Sequence, residues 1–237
     1  MAAPFLTARW QNLLMLNFQC DPAILTPLLP HGTELDLWQG KHLVSMVGFL
    51  FADTQLRGIR IPLHVRFEEV NLRFYVRRKG PDGWRRGTVF VKEIVPKPCV
   101  TFIANTLYGE HYATHPMRYT WEYQRDGYHI GYEWKVGNQW NFLRAVAHPT
   151  SSPLLPGSEE EFITEHYWGY TRLNALRTGA YEVQHPRWNI HAIQSFDFQI
   201  DTAKLYGEGF TESLAQPPQS VFLADGSAIA IMPGTKL

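Results

Sequence analysis

Cysteine is scarce in this chain, with only Cys20 and Cys99 among 237 residues. The two stand far apart and in no CxxC or other metal-ligand spacing, so a disulfide framework and a cysteine-based zinc site are both excluded. Each is expected as a core thiol. Net charge is absent too, 22 basic residues balancing 22 acidic ones, so no long-range field draws the chain to nucleic acid or anionic lipid. No stretch approaches the roughly 18 apolar residues of a membrane span, and Arg9, Gln11, Asn12 and Asn17 interrupt any signal core near the N-terminus. A cytoplasmic location without membrane contact is expected. A GxSxG elbow, a glycine-rich phosphate loop, an internal repeat and a low-complexity tract are all missing.

Aromatic residues are plentiful by contrast, at 14% of the chain with eight Trp, which suits a sizeable core or an aromatic-walled pocket. Turn signals divide the sequence into strands. Residues 35–38 and 41–51 flank Gln39-Gly40 as a hairpin, 67–76 and 88–95 flank a basic turn, and 117–123 and 128–136 flank Asp126-Gly127. Strand 140–147 continues that meander, and a closing strand is expected over about 220–232. Short helices are predicted after the N-cap Asp21 with Pro22, along Val100, Phe102, Ile103 and Leu107 up to Gly109, and near 202–215. The proline-rich stretch 149–158 reads as a loop, which leaves a single domain over 1–237. Roughly ten strands and two or three helices make an α+β protein dominated by antiparallel sheet, closed into a barrel.

The run FEEVNLRFYV, residues 67–76, carries the first functional signal. Alternation puts Val70, Leu72, Phe74 and Val76 on one face and Phe67, Glu69, Asn71, Arg73 and Tyr75 on the other. The second face either meets water or lines a cavity in which an acid, an amide and a base orient a ligand. The basic cluster Arg77, Arg78, Lys79, Arg85 and Arg86 brackets Gly80-Pro81-Asp82-Gly83 and reads as a solvated hairpin tip.

Ten histidines invite a metal, but Gly109 and Pro116 bracket His111 and His115 and break the helix their spacing would need, so no metal site is predicted. Glu165-His166-Tyr167-Trp168 and His185-Pro186-Arg187-Trp188 each join an imidazole to large aromatics. Such a pairing serves either acid–base work in a desolvated pocket or an aromatic layer with satisfied polar tips. In VFVKEIV, an inward Lys92 would have a depressed pKa suited to Schiff-base chemistry, and an outward one would form a surface ion pair. Simple alternation places Lys92 with Phe90 and Ile94, opposite Glu93, without saying which side is inside.

The segments RFEEVNLRFYV, LYGEHYATHPM, EEFITEHYWGYT, YEVQHPRW and SVFLADGS together resemble the YqjF-like family, domain of unknown function 2071, whose fold is similar to that of acetoacetate decarboxylase. The resemblance implies a cone-shaped, mainly antiparallel β-barrel with an internal cavity. In acetoacetate decarboxylase one lysine forms the Schiff base and a neighbouring lysine lowers its pKa, and the matching place falls near residues 107–111. No lysine stands there, so no catalytic residue carries over.

With a barrel implied, Glu69, Asn71, Arg73 and Tyr75 are expected to face the cavity, with His111, His166, His185 and Trp188 completing it. The catalytic candidates are Glu69, Arg73, Lys92 and His111. Glu69 and Arg73 should pair with each other, with other cavity residues or with a ligand carboxylate. The expected partner is a small molecule, a carboxylate fitting Arg73. No cofactor is called for, and a homo-oligomer is left open. The reading is a small-molecule-binding protein, in its enzymatic form a lyase or hydrolase of a small carboxylate or carbonyl compound. The alternative is a non-catalytic binding or interaction module that retains only the barrel.

Overall fold

The computed structural model describes residues 3–237, less the side chains of residues 107 and 108. Its longer strands are β1 (Leu6–Gln19), β2 (Leu43–Leu56), β3 (Phe67–Gly80), β4 (Gly83–Val95), β5 (Tyr112–Thr114), β6 (Met117–Gln124), β7 (Gly127–Val136), β8 (Gln139–Ala147), β9 (Trp168–Arg172), β10 (Thr178–Gln184), β11 (Asn189–Gln199) and β12 (Ser220–Ile231). The helices are short: α1 (Pro22–Leu25), α2 (Pro98–Ile103), α3 (Glu159–Thr164), α4 (Thr202–Tyr206) and α5 (Thr211–Ala215).

Strands β10, β9, β4, β3, β2, β1 and β12 lie side by side, and β12 returns to β10. This is a ring of mostly antiparallel strands rather than a continuously laddered barrel. The return joint holds only Val183 against Ile231 and Gln184 against Ala230. The β9–β4 joint is parallel and as short, Trp168 against Gly87 and Gly169 against Thr88. From β12 the sheet continues through β11, β8, β7 and β6, which fold back as a second layer.

Alternation along the ring strands produces two cores. Val70, Leu72, Phe74 and Val76 pack outward with Leu14, Leu16, Tyr132 and Trp134 against that second layer, as the sequence predicts. The opposite face packs Leu13, Met15, Phe49, Phe51, Tyr75 and Trp188 inside the ring. The layers approach closely at Gly48, where a Cβ would lie 2.6 Å from Cδ2 of Tyr132. Only glycine lets that ring sit there, with its hydroxyl donating to the Asn12 carbonyl at 2.7 Å.

Several local expectations change. The 35–38/41–51 hairpin reduces to one bridge between Trp38 and Lys41. Glu34–Leu35 pairs with β3 instead, and Asp36 donates its N–H to the Tyr75 carbonyl. Asp36 is drawn there because its carboxylate finds Arg86 and His166. The basic tip is thus not wholly solvated, since Arg86 reaches inward to that carboxylate. Helix α2 does run on to the left-handed cap at Gly109, through a wider turn over Ala104–Tyr108; the Leu107 side chain, part of its expected apolar face, lies outside the described residues. Cys20 is buried as expected, whereas Cys99 is exposed on α2. No helix among the described residues is long and apolar enough to cross a membrane.

Candidate functional site

The ring encloses a small inner cavity of about 60 Å³, lined by Glu69, Asn71, Arg73, His166, His185 and Trp188 among others. Strand β3 supplies the first three on its inward face, 2%, 1% and 8% exposed respectively. Tyr75, next on that face, is packed behind the cavity: its hydroxyl meets Ser45 Oγ at 2.5 Å and its ring lies 4.7 Å from that of His166. His111 is also outside, exposed beside β5 and edging a separate depression with Arg172.

Lys92 does not enter the cavity either, and a β-bulge decides this. Arg73 pairs with Phe90 but Leu72 pairs with Lys92, so Val91 is an extra residue in β4. One inserted residue reverses the alternation. Phe90 and Glu93 therefore share the cavity side, and Lys92 sits across from outward Leu72. Simple alternation, which grouped Lys92 with Phe90, fails at that point. The apolar surroundings of VFVKEIV were a usable signal, but they pointed to the neighbour of the lysine.

Glu93, 3% exposed, stands across the ladder from Asn71 and brings a second carboxyl beside Glu69. A third comes from Glu110, 9% exposed, just after the α2 cap. Asn71 Nδ2 donates to Oε1 of Glu69 at 2.9 Å and the Tyr112 hydroxyl donates to Oε2 at 3.2 Å. Thr171 Oγ1 donates to Oε1 of Glu110 at 2.7 Å, with the Tyr181 hydroxyl acting on the same carboxyl. Oε2 of Glu93 has no hydrogen-bond partner.

Burial holds these acids neutral to unusually high pH. Loss of water pushes Glu69 up to about 7, with the charge of Glu110 adding to the rise and the hydrogen bonds from Asn71 and Tyr112 opposing it. Burial likewise moves Glu110 to about 7. Glu93 is raised well above the usual carboxylate range, by burial first and then by Glu110 and Glu69. Tyr112 and Tyr181 are raised for the same reasons and remain phenols. Glu110, Tyr112, Tyr181 and an inward Glu93 were not identified from the sequence as site residues. Glu110 lies in the segment 107–111 where the decarboxylase lysines were sought, and Tyr112 directly follows it.

Arg73 faces this acidic wall without an ion pair among the described residues. Nη2 donates to Sδ of Met15 at 3.8 Å and Nε has no partner. Of the partners expected for Glu69 and Arg73, Glu69 takes other cavity residues, Asn71 and Tyr112, rather than Arg73. Behind the cavity-lining His166, Oδ2 of Asp36 accepts from Arg86 Nε at 2.6 Å and meets Nε2 of His166 at 3.1 Å. Burial resists the Asp36 charge, but the hydrogen bonds from His166 and Arg86 overcome it and lower the acid to about 2. Burial lowers His166 to about 4 against the pull of Asp36, and its Nδ1 has no hydrogen-bond partner among the described residues. His185 is lowered mainly by burial and stacks on Trp188 at 4.1 Å. Among the described residues no group of three or more His, Cys, Asp or Glu is arranged to hold a metal ion.

The arrangement can bind an anion at Arg73 and donate or accept protons at the carboxyl wall close to neutral pH. Comparisons with known proteins fit the architecture. Acetoacetate decarboxylase from Legionella pneumophila subsp. pneumophila str. Philadelphia 1 superposes with a TM-score of 0.68 at 13% identity, over 100% of this chain and 88% of that one. An acetoacetate decarboxylase-like enzyme from Sphingomonas wittichii RW1 superposes at 0.68 with 15% identity, over 98% and 92%. The enduracididine biosynthesis enzyme MppR, complexed with pyruvate, superposes at 0.67 with 13% identity, over 100% and 91%. Such identities show a shared fold alone. The uncharacterized protein YqjF of Bacillus subtilis (strain 168) is 36% identical over 75 residues, a match spanning only 31% of each protein. The DUF2071 family, described as an uncharacterized conserved protein, matches residues 7–228, and this chain, built on the acetoacetate decarboxylase fold, belongs to that family.

Proposed function

We propose that the chain binds a small carboxylate bearing a carbonyl group in the inner cavity. Arg73 pairs with the carboxylate, and Glu69 moves a proton at the carbonyl end in a lyase or hydrolase reaction. The observation that carries this reading is the buried Arg73 guanidinium, which has no carboxylate partner although Glu69 and Glu93 line the same cavity. A buried charge compensated only by a thioether and by the Tyr75 ring, whose centroid is 5.9 Å away, is costly, and a guanidinium fork matches a carboxylate through two parallel hydrogen bonds. Glu69, placed near 7 by burial, serves as acid or base around neutrality. The pyruvate bound to MppR, a fold relative, is a ligand of this chemistry.

None of the residues lining the inner cavity is a lysine. A carbonyl there would be polarised by neutral Glu93 and the Tyr112 phenol rather than converted to an iminium ion. The same lack of a lysine favours a second reading, a binder without turnover. Thermal unfolding with pyruvate in excess tests the site: wild type should melt at a higher temperature and Arg73→Ala should not respond. An equal response from both proteins removes the anion role of Arg73. Borohydride trapping with oxo acids should leave every lysine unmodified, and an adduct on any of them overturns the iminium-free scheme.

A further inference from the structure

The carboxyl wall has a second side. An outer chamber of about 300 Å³ opens there, and Glu69, Glu93, Tyr112 and Tyr181 line both spaces. The chamber is otherwise largely apolar, with Phe5, Leu6, Phe51, Phe67, Val100 and Ile103 along its sides. Its rim holds exposed apolar side chains on both flanks, Ile61 in the loop after β2 and Ile103 on α2. The two spaces thus present opposite chemistries to a single partition, a cation and amide within and hydrocarbon without.

We infer that the ligand is bipartite, an oxo acid whose carboxylate lies on Arg73, whose carbonyl oxygen meets the Glu69–Glu93 partition, and whose apolar acyl or aryl tail fills the outer chamber. This extends the proposed function and rests on it. The unpartnered Oε2 of Glu93 marks where a neutral acceptor is missing. A buried carboxyl kept protonated donates to a carbonyl oxygen and repels a second anion less than a carboxylate would. A ligand as small as pyruvate would satisfy the inner cavity and leave the outer walls unused, whereas a tail would bury them. Entry through the apolar mouth orders the ligand head first.

The test is a chain-length series of 2-oxo acids, from pyruvate through 2-oxooctanoate, with binding measured by calorimetry. Affinity should rise by about four-fold per methylene until the chamber is full. Ala104, which lines only the outer chamber, provides the control: Ala104→Phe should abolish the gain with length and leave pyruvate affinity unchanged. Cys99 lines the same chamber and is exposed, so wild type offers a readout that needs no variant. 2-Oxooctanoate should slow its alkylation by N-ethylmaleimide at least ten-fold, and pyruvate should not. Pyruvate binding with a flat length series and no protection of Cys99 overturns the bipartite ligand while sparing the site at Arg73. Failure of every oxo acid to bind removes both. Octanoate binding as tightly as 2-oxooctanoate overturns the contact between carbonyl and partition.

Discussion

Arg73 makes its side-chain hydrogen bond to a thioether: Nη2 donates to Sδ of Met15 at 3.8 Å, from β3 over the intervening β2 to β1. Sulfur is a weak acceptor and offers a guanidinium little of what water offered it. The fold therefore carries that charge at a cost in stability, as the proposed anion-binding role requires.

Substituting Arg73 by methionine should therefore leave the free protein as stable as wild type or more so, by up to about 4 kcal/mol. Urea unfolding without ligand measures this. A loss of stability would mean that the guanidinium is already compensated within the fold.

The carboxyl wall sets a pH dependence whose sign is fixed. Glu69 and Glu110 titrate near 7 in the fold against an ordinary 4.5, so the native state holds protons that the unfolded chain has released. Their stabilising contribution is complete below about 4.5 and is lost as pH rises through about 7. His166 works in the opposite direction: lowered from 6.5 to about 4, its contribution is present above 6.5 and lost as pH falls through 4. Glu93→Gln removes an acid that burial raises well above the usual carboxylate range and should lift the melting temperature at pH 8 by about 2–4 °C for each 1 kcal/mol recovered. Melting curves of both proteins at pH 5 and pH 8 check this. An equal shift at the two pH values would remove ionisation as the cause.

Gly169 and Tyr181 face each other across the β9–β10 ladder, and a Cβ on Gly169 would lie 2.2 Å from Cζ of the tyrosine. Gly169→Ala must push that ring off its place beside Glu110. The cost should be about 1–3 kcal/mol, visible as a lower urea midpoint. Removing the ring relieves the overlap, so Tyr181→Ala combined with Gly169→Ala should be less destabilised than the two single changes summed. Strict additivity would separate the two residues.

The Asp36 carboxylate ties Arg86 to His166 and is lowered from 3.8 to about 2. Its contribution is present above 3.8 and lost as pH falls through about 2. Asp36→Asn should cost about 2 kcal/mol at neutral pH and flatten the acid limb of the stability curve. Parallel acid limbs in variant and wild type would place the acid sensitivity elsewhere.

The sequence by itself determined what local geometry controls. A period of two along residues 67–76 divides apolar from polar whatever lies beyond, so the separation of Val70, Leu72, Phe74 and Val76 from Glu69, Asn71 and Arg73 was legible before any fold was known, whereas which face looks into a cavity depended on the ring. The turns at 80–83 and at Asp126-Gly127 and the Gly109 cap were equally local, whereas the hairpin expected at Gln39-Gly40 gave way to pairing of Glu34–Leu35 with β3. Only the tertiary structure decided which further groups meet Glu69. The extra residue at Val91 turned Glu93 inward and Lys92 out, a register choice made by pairing with β3 and invisible in β4 alone. Glu110, Thr171 and Tyr181 come from distant parts of the chain and meet because β9 and β10 close the ring. Their raised pKa values exist only because that closure removes water, and burial is a property of the assembled ring rather than of any stretch of residues.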